Sequence, residues 1–406
     1  MKVVIAVDSL KGSLSSVEAG LAVREGILRA YPEAKTVVKP LADGGEGTTD
    51  ALIQGLGGER VDVTVTGPYG VPVRAYYGLL PETGTAVMEM AQAAGITLSE
   101  ERNPLRASTR GVGEMVRDAL ARGVRDFLIG IGGSATNDGG VGMLSALGYR
   151  FLTAEGESAG EGAQALGKIG RILPPDEEMW EMLAASTFRI ACDVANPLCG
   201  KNGAVYVFGP QKGVRPQDCE SLDRKMRHYA DLTAEHFAGA GPSGPSRGTR
   251  PAGEMSGPYP SRDLRDLPGA GAAGGLGFAF ASYIPHATLE PGVSLIMNAV
   301  GLDDALRNAD LCITGEGQLD AQTAMGKVPA GVARAAKQHG VPVIAFAGCV
   351  TQDAPAACRS IGIDAAFPIL RSTSTLEEAM DPENAKQNLA QTAEEVFRLI
   401  RRFKKD

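Results

Sequence analysis

Histidine and tryptophan are scarce in this chain, with four and one among 406 residues, and aromatic residues make up only 5%. The histidines (His228, His236, His286, His339) share no ligand spacing, and the six cysteines (Cys192, Cys199, Cys219, Cys312, Cys349, Cys358) form no CxxC pair. The pattern argues against a zinc site and a disulfide framework and gives Ser/His or Cys/His catalysis little support, so reduced, buried thiols are expected. Long apolar runs are lacking as well. The N-terminal run Met1 to Val7 is too short for a signal peptide and reads as a buried strand, and the glycine-rich stretch Ala270 to Pro285 is too short to span a bilayer. A soluble, cytoplasmic protein is expected. Positive charge is in deficit, with a net charge of -8 and a pI near 5.3. That argues against a nucleic-acid or anionic-membrane surface, so an anionic ligand must be held locally by Lys, Arg, backbone amides or metal.

Apolar residues are present at 44%, enough for more than one core, and the length suggests two or three domains. Val3 to Val7 is a strand that ends in Asp8-Ser9-Leu10-Lys11-Gly12. Ser15 and Glu18 stand at capping-box spacing before a helix that ends near Tyr31-Pro32. Thr36 to Val38 starts a second strand, then comes the loop Leu41 to Thr49 and a further helix through Leu56. Alternation at Val61, Val63, Val65 and again at Val73, Ala75, Tyr77 reads as antiparallel pairing and entry into a different domain. Ser108 or Thr109 can cap a helix through Leu120, Phe127 to Ile131 is a strand, and Thr187 to Val194 is another. From Leu302 a β/α rhythm resumes, with strands at Leu311 to Thr314, Val343 to Ala347 and Ala365 to Leu370.

Two strands at the start and three at the end make five parallel strands with interleaved helices. The expected fold class is therefore α/β, a flavodoxin-like five-stranded parallel sheet formed by 1–70 plus 286–406, with a second α/β domain inserted at 71–285. Residues 238–263 are rich in Gly, Pro, Ser and Arg without apolar periodicity, and read as a flexible insertion. In Pro268 to Gly277, glycine alternates with alanine, which suits close backbone packing and ligand contact about equally.

The chemistry is expected at the loops. Ligands of an open parallel sheet bind outside the carboxyl ends of its strands, which gathers Asp8 to Lys11, Asp43 to Thr48 and Gly315 to Asp320 onto one edge. Carboxylates beside glycines there suggest Mg²⁺ bridged to phosphates, because Mg²⁺ takes few protein oxygens. In the inserted domain, Gly132-Gly133-Ser134-Ala135-Thr136-Asn137-Asp138-Gly139-Gly140 follows a strand and precedes a helix, the arrangement of an anion cradle. Known nucleotide motifs fit poorly. Gly130-Ile131-Gly132-Gly133-Ser134-Ala135 satisfies G-x-G-x-x-A only nominally, and Gly326-Lys327-Val328 lacks the upstream glycine and the hydroxyl residue of a P-loop.

Several segments taken together resemble the bacterial type I glycerate kinases, a two-domain family unrelated to the P-loop kinases. The matching stretches are VDSLKGSLSS (Val7 to Ser16), KPLADGGEGT (Lys39 to Thr48), EMAQAAG (Glu89 to Gly95), NPLRASTRGVGE (Asn103 to Glu114), IGGSATNDGGVGML (Ile131 to Leu144), CDVANPLCG (Cys192 to Gly200), FGPQKG (Phe208 to Gly213), PGAGAAGGLG (Pro268 to Gly277) and GEGQLDAQTAMGKVP (Gly315 to Pro329). They run in order over nearly the whole chain, and the insertion at 238–263 is the main departure from the family pattern. The resemblance implies a flavodoxin-like domain joined to one likened to a restriction-endonuclease fold. It also implies phosphorylation of D-glycerate with ATP and Mg²⁺, with 2-phosphoglycerate as the associated product.

Phosphoryl transfer asks for positioning and charge neutralisation. Gly132, Gly133, Ser134 and Asn137, together with Gly44, Gly45, Gly47, Thr48 and Lys11, are expected to hold the cofactor phosphates, with glycerate itself as the alternative ligand of the 132–140 loop. Lys327 is the favoured cation on the migrating group beside Lys11, whereas Lys201 and Lys212 are read as weaker surface candidates. Asp193 is expected as general base and, with Asp43, as a metal ligand; Glu316, Asp320, Asp8 and Asp43 compete for those roles. Substrate contacts are assigned to Asp8, Ser9, Ser108, Arg110 and Asn196, with Arg110 facing the glycerate carboxylate. The expected partner is the small molecule D-glycerate, without nucleic acid or membrane, in a chain that a homodimer would suit. A kinase for a related hydroxy acid and a non-catalytic sensor of an acidic metabolite are the rival readings.

Overall fold

The computed structural model describes residues 1–238, 263–321, 323 and 327–403. Apart from its two end residues, the insertion expected at 238–263 lies outside them. Thirteen strands run along the described residues. The first six are β1 (Lys2–Val7), β2 (Lys35–Val38), β3 (Glu59–Thr66), β4 (Pro72–Leu80), β5 (Thr85–Glu89) and β6 (Asp126–Gly130). Then follow β7 (Arg150–Leu152), β8 (Arg171–Leu173), β9 (Thr187–Ala191), β10 (Ala287–Glu290), β11 (Leu311–Leu319), β12 (Val343–Val350) and β13 (Ala365–Pro368).

The chain divides into two compact units, one made of residues 1–59, 78–82 and 291–406, the other of 60–77 and 83–290. The first unit carries a five-stranded sheet in the order β13-β12-β11-β1-β2, with every pair parallel. This is the flavodoxin-like, doubly wound order, in which the chain reverses direction across the sheet between β1 and β11. Its first crossing lies at residue 59, about ten residues before the position read from sequence. The reason is hydrogen bonding, because β3 pairs with β4 in the other sheet.

One face of the first sheet is apolar because Val3, Ile5 and Val7 alternate with their neighbours and pack with Ile313 and Phe346 against the helices Ser16–Ala30 and Pro382–Phe403. The two helices approach closely at Gly26, where a Cβ would lie 2.0 Å from the Ala390 carbonyl oxygen. Ser15 starts the first of them with a complete capping box, its Oγ accepting from the Glu18 amide and its own amide donating to the Glu18 carboxylate. Ser15→Ala is expected to cost about 1 kcal/mol, read as a lowered urea midpoint with an unchanged slope. An unchanged midpoint would show that the cap adds nothing once the helix is packed.

The second unit holds a six-stranded sheet, β10-β9-β6-β5-β4-β3, in which β10/β9, β9/β6 and β6/β5 are parallel. Its core includes Phe127 of β6 stacked on Phe188 of β9, with centroids 4.5 Å apart and planes at 6°. The edge strand β10 escapes a periodicity reading because its residues are half-buried or exposed throughout. The alternation of glycine with alanine near residue 270 serves close backbone approach. A Cβ on Gly271 would lie 2.2 Å from the Pro197 carbonyl oxygen, and one on Gly274 would lie 2.1 Å from that of Thr136. All six cysteines are free, and no helix among the described residues is long and apolar enough to cross a membrane.

Candidate active site

In the first unit three strands deliver carboxylates. Asp8 directly follows β1, and its amide donates to the Gly315 carbonyl of β11 at 2.9 Å. Asp43 lies in the loop after β2, where Oδ1 accepts from the Gly45 amide at 3.0 Å and Oδ2 from Lys11 Nζ at 3.0 Å. The same loop turns through left-handed glycines, Gly44 at φ +84° and Gly47 at φ +88°, and Gly47 opens the helix Thr48–Leu56 without a side-chain cap. Thr48 Oγ donates back to the Gly45 carbonyl at 2.7 Å. The capping position, a glycine, brings no side chain of its own to this helix start, where the positive end of the helix dipole favours an anion.

Glu316 belongs to β11, which continues as a strand to Leu319 where sequence suggested a loop from Gly315 onward. The extension follows from pairing with β12, in register from Cys312 to Leu319, and from Gly315, where a Cβ would lie 2.0 Å from the Phe346 carbonyl oxygen. Glu316 Oε1 accepts from Thr323 Oγ at 2.8 Å, while Lys327 Nζ stands 3.6 Å from its Oε2 and 4.0 Å from Asp320 Oδ1. Asp320 and Thr323 exchange hydrogen bonds at 3.1 Å, so Asp320 also shapes the turn after β11.

Burial sets the charge state of this cluster. Asp8 is only 6% exposed, and desolvation, reinforced by the nearby Asp43 and Glu316 carboxylates, pushes its carboxyl up to about 7 against the pull of the Ser9 amide and Lys11. Ser9 contributes that amide at 2.7 Å from Asp8 Oδ1. Burial likewise raises Glu316, opposed by the Thr323 hydroxyl and by Lys327.

In the second unit, β6 leads into the glycine loop. Gly132 and Gly133 are exposed, and Gly133 is left-handed at φ +74°. Ser134 is buried, and its Oγ accepts from Lys212 Nζ at 2.7 Å. Asn137 is wholly buried, with neither its Oδ1 nor its Nδ2 hydrogen-bonded. Asp138 accepts four bonds of 2.9–3.2 Å, from the amide and hydroxyl of Thr109 and the amides of Gly140 and Gly142. Complete burial nonetheless raises its carboxyl against those four donors.

Other expected contacts are engaged elsewhere. Arg110 pairs with Glu161, and Ser108, buried, accepts from the Arg110 amide at 3.2 Å. Thr109 holds the capping position of the helix Arg110–Ala121 but spends its hydroxyl on Asp138, so the first amide of the helix is met by Ser108 and not by Thr109. Asn196 donates from Nδ2 to the Asn202 carbonyl at 2.8 Å and so braces its own loop. Asp193 stands exposed beyond the end of β9, and Lys201 is exposed as well. Lys212 departs most from its sequence reading, because it is 3% exposed and not a surface lysine. Its sequence environment, FGPQKG, carried no burial signal beyond the glycine that follows it.

Comparison with known proteins agrees over the full length. A family model described as "Glycerate kinase family" matches residues 3–401. A glycerate kinase of Haemophilus influenzae is 41% identical over 402 residues, covering 98% of this chain and 99% of the relative. A glycerate 2-kinase of Escherichia coli is 40% identical over 385 residues, 93% of each. A crystal structure ascribed to glycerate kinase 2 of Salmonella typhimurium superposes with a TM-score of 0.86 at 40% identity, covering all of both chains.

Proposed function

The chain belongs to the glycerate kinase family, and we propose that it transfers the terminal phosphoryl group of ATP to a hydroxyl of D-glycerate, the 2-hydroxyl by analogy with the E. coli relative named a glycerate 2-kinase. The observation that carries the mechanism is Asp8, a buried carboxylate at a strand end whose ionisation falls near neutral pH. A group so tuned can take up the hydroxyl proton as the phosphoryl group transfers, since an effective base has its pKa near the working pH. Asp193 is the rival base, at the end of β9 and open to solvent. Lys11 and Lys327, each beside a carboxylate, carry the positive charge that offsets phosphate oxygens. Gly44, Gly45, Gly47 and Thr48 shape the turn into a helix start, the end of a helix that favours negative charge, and Gly132, Gly133, Ser134 and Asn137 form the anion-holding loop of the other unit.

The donor set suits Mg²⁺. Asp43 and Glu316 lie close enough to raise Asp8, and with Asp320 these four carboxylates outnumber the two lysines beside them, Lys11 and Lys327, an excess of acidic groups that a hard dication relieves. Among the described residues no three acidic, His or Cys side chains are grouped to hold a metal by themselves, so Asp43 would hold it jointly with phosphate oxygens. Bound there, Mg²⁺ supplies charge neutralisation on the transferring group. Purified protein with ATP, Mg²⁺ and D-glycerate is expected to release ADP, with phosphorus NMR assigning the product hydroxyl and a panel of hydroxy acids ranking substrates. ADP release that does not depend on glycerate would remove this reading.

A further inference from the structure

The Lys212 ammonium has no place in the roles assigned above, yet its burial is expensive. Taking an ammonium group out of water costs several kcal/mol unless its protons are met, and an apolar side chain would fill the same space without that cost. Burial draws its pKa down to about 7, with the Asp138 carboxylate opposing the fall. What the lysine does there is specific. Nζ donates to Ser134 Oγ and to the Thr136 carbonyl, both at 2.7 Å, and so clamps the glycine loop at two points that lie 78 and 76 residues before it in the chain.

The bond to Ser134 has a direction. A serine hydroxyl has one proton and accepts through the oxygen, so when Oγ accepts from Nζ its own proton must point away from the lysine. No residue among those described takes that proton. Ser134 immediately follows the exposed Gly132 and Gly133, and on the same loop Asn137 holds both side-chain polar atoms buried and unbonded. Asn137 lies beyond the reach of a ligand, but the Ser134 proton, beside the two exposed glycines, is a polar group that an anionic oxygen can meet.

We infer that Lys212 is a positioning residue of the phosphoryl transfer: by clamping Ser134 and Thr136 it turns the Ser134 hydroxyl proton outward, as a donor to an anionic oxygen of one reactant. The inference rests on reading residues 132–137 as an anion-holding loop. The oxygen belongs either to the glycerate carboxylate or to an ATP phosphate, and these two sources are separable by experiment.

The test is saturation kinetics in each reactant for the wild type, Lys212→Met, Ser134→Ala and the double variant, with circular dichroism to establish folding. Lys212→Met and Ser134→Ala are each expected to raise the KM of the same reactant by about ten- to a hundredfold while kcat changes less. The double variant is expected to be no worse than either single one, because the lysine acts through the serine. The reactant whose KM moves identifies the source of the oxygen. Additive losses in the double variant, or a wild-type KM for both reactants in Lys212→Met, would overturn the inference. Should Lys212→Met fail to fold, unchanged KM values in Ser134→Ala would overturn it alone. A wild-type protein without glycerate-dependent turnover counts against the proposed reaction only, and the positioning role is then read from the thermal shifts that ATP and glycerate give in the same proteins.

Discussion

Asp8→Asn is expected to lower glycerate-dependent ADP formation by about 10²- to 10⁴-fold, the range set by loss of a positioned base, while making the protein more stable above pH 7. Both effects come from one carboxyl. Its pKa is raised from 3.8 to about 7 in the folded protein, so between those values the folded state binds more protons than the unfolded one. Stability therefore falls as pH rises through that window, and above pH 7 the native state carries the full cost of a buried, ionised Asp8. Asparagine keeps the shape and the acceptor for the Ser9 amide at 2.7 Å but cannot ionise, so it removes that cost. The gain is of order a few kcal/mol, visible as a higher unfolding midpoint at pH 8 and a flatter dependence on pH. In the wild type kcat/KM should decline towards acid pH as this carboxyl protonates, at a pH that bound Mg²⁺ moves downward, and the variant should lack that limb. Turnover within tenfold of wild type in Asp8→Asn, combined with collapse in Asp193→Asn, would transfer the base role to Asp193.

Gly274→Ala is expected to damage the second unit severely, costing more than about 4 kcal/mol and preventing accumulation of folded protein at 37 °C. Two independent effects act at this position. Its φ of +70° is a left-handed conformation that alanine adopts at a cost of about 1 kcal/mol or more. In addition, the new Cβ would lie 2.1 Å from the Thr136 carbonyl oxygen and 2.8 Å from Asn137 Oδ1. The Thr136 carbonyl already accepts from Lys212, and Asn137 is wholly buried, so neither can withdraw without breaking the loop. Gly70→Ala is the control, because it is also left-handed, at φ +84°, but a Cβ there meets nothing within 4 Å. Comparable losses in the two variants would show that backbone strain alone, and not close approach to the loop, makes Gly274 necessary.

Much of the architecture could be read before any coordinates. The capping box at Ser15 and Glu18, the apolar runs of β1 and β12 and the polar stretches at strand ends are local patterns, and local patterns encode helices, strands and their order. The rule that ligands gather at carboxyl ends of parallel strands then brought Asp8, Asp43 and Glu316 to one edge. Where the reading fell short, the deciding partner was distant. Gly315 to Leu319 looks like a loop because it carries two glycines and a glutamate, and it becomes a strand only by pairing with β12. Arg110 reads from sequence as a partner for a substrate carboxylate, and only the fold shows that Glu161, 51 residues later, also pairs with it.

The amino-acid sequence by itself determined the α/β order, the discontinuous five-stranded sheet, the family resemblance and the set of residues among which the chemistry must lie. Periodicity, caps and motif order need no knowledge of which segments meet. Tertiary structure alone decided the state of each polar side chain: that Asp8 is buried enough to titrate near neutrality, that Asn137 is left unbonded and that Lys212 is enclosed. Burial and hydrogen bonding are properties of a place, and the groups that make the place around Lys212 come from a loop more than seventy residues away in the chain.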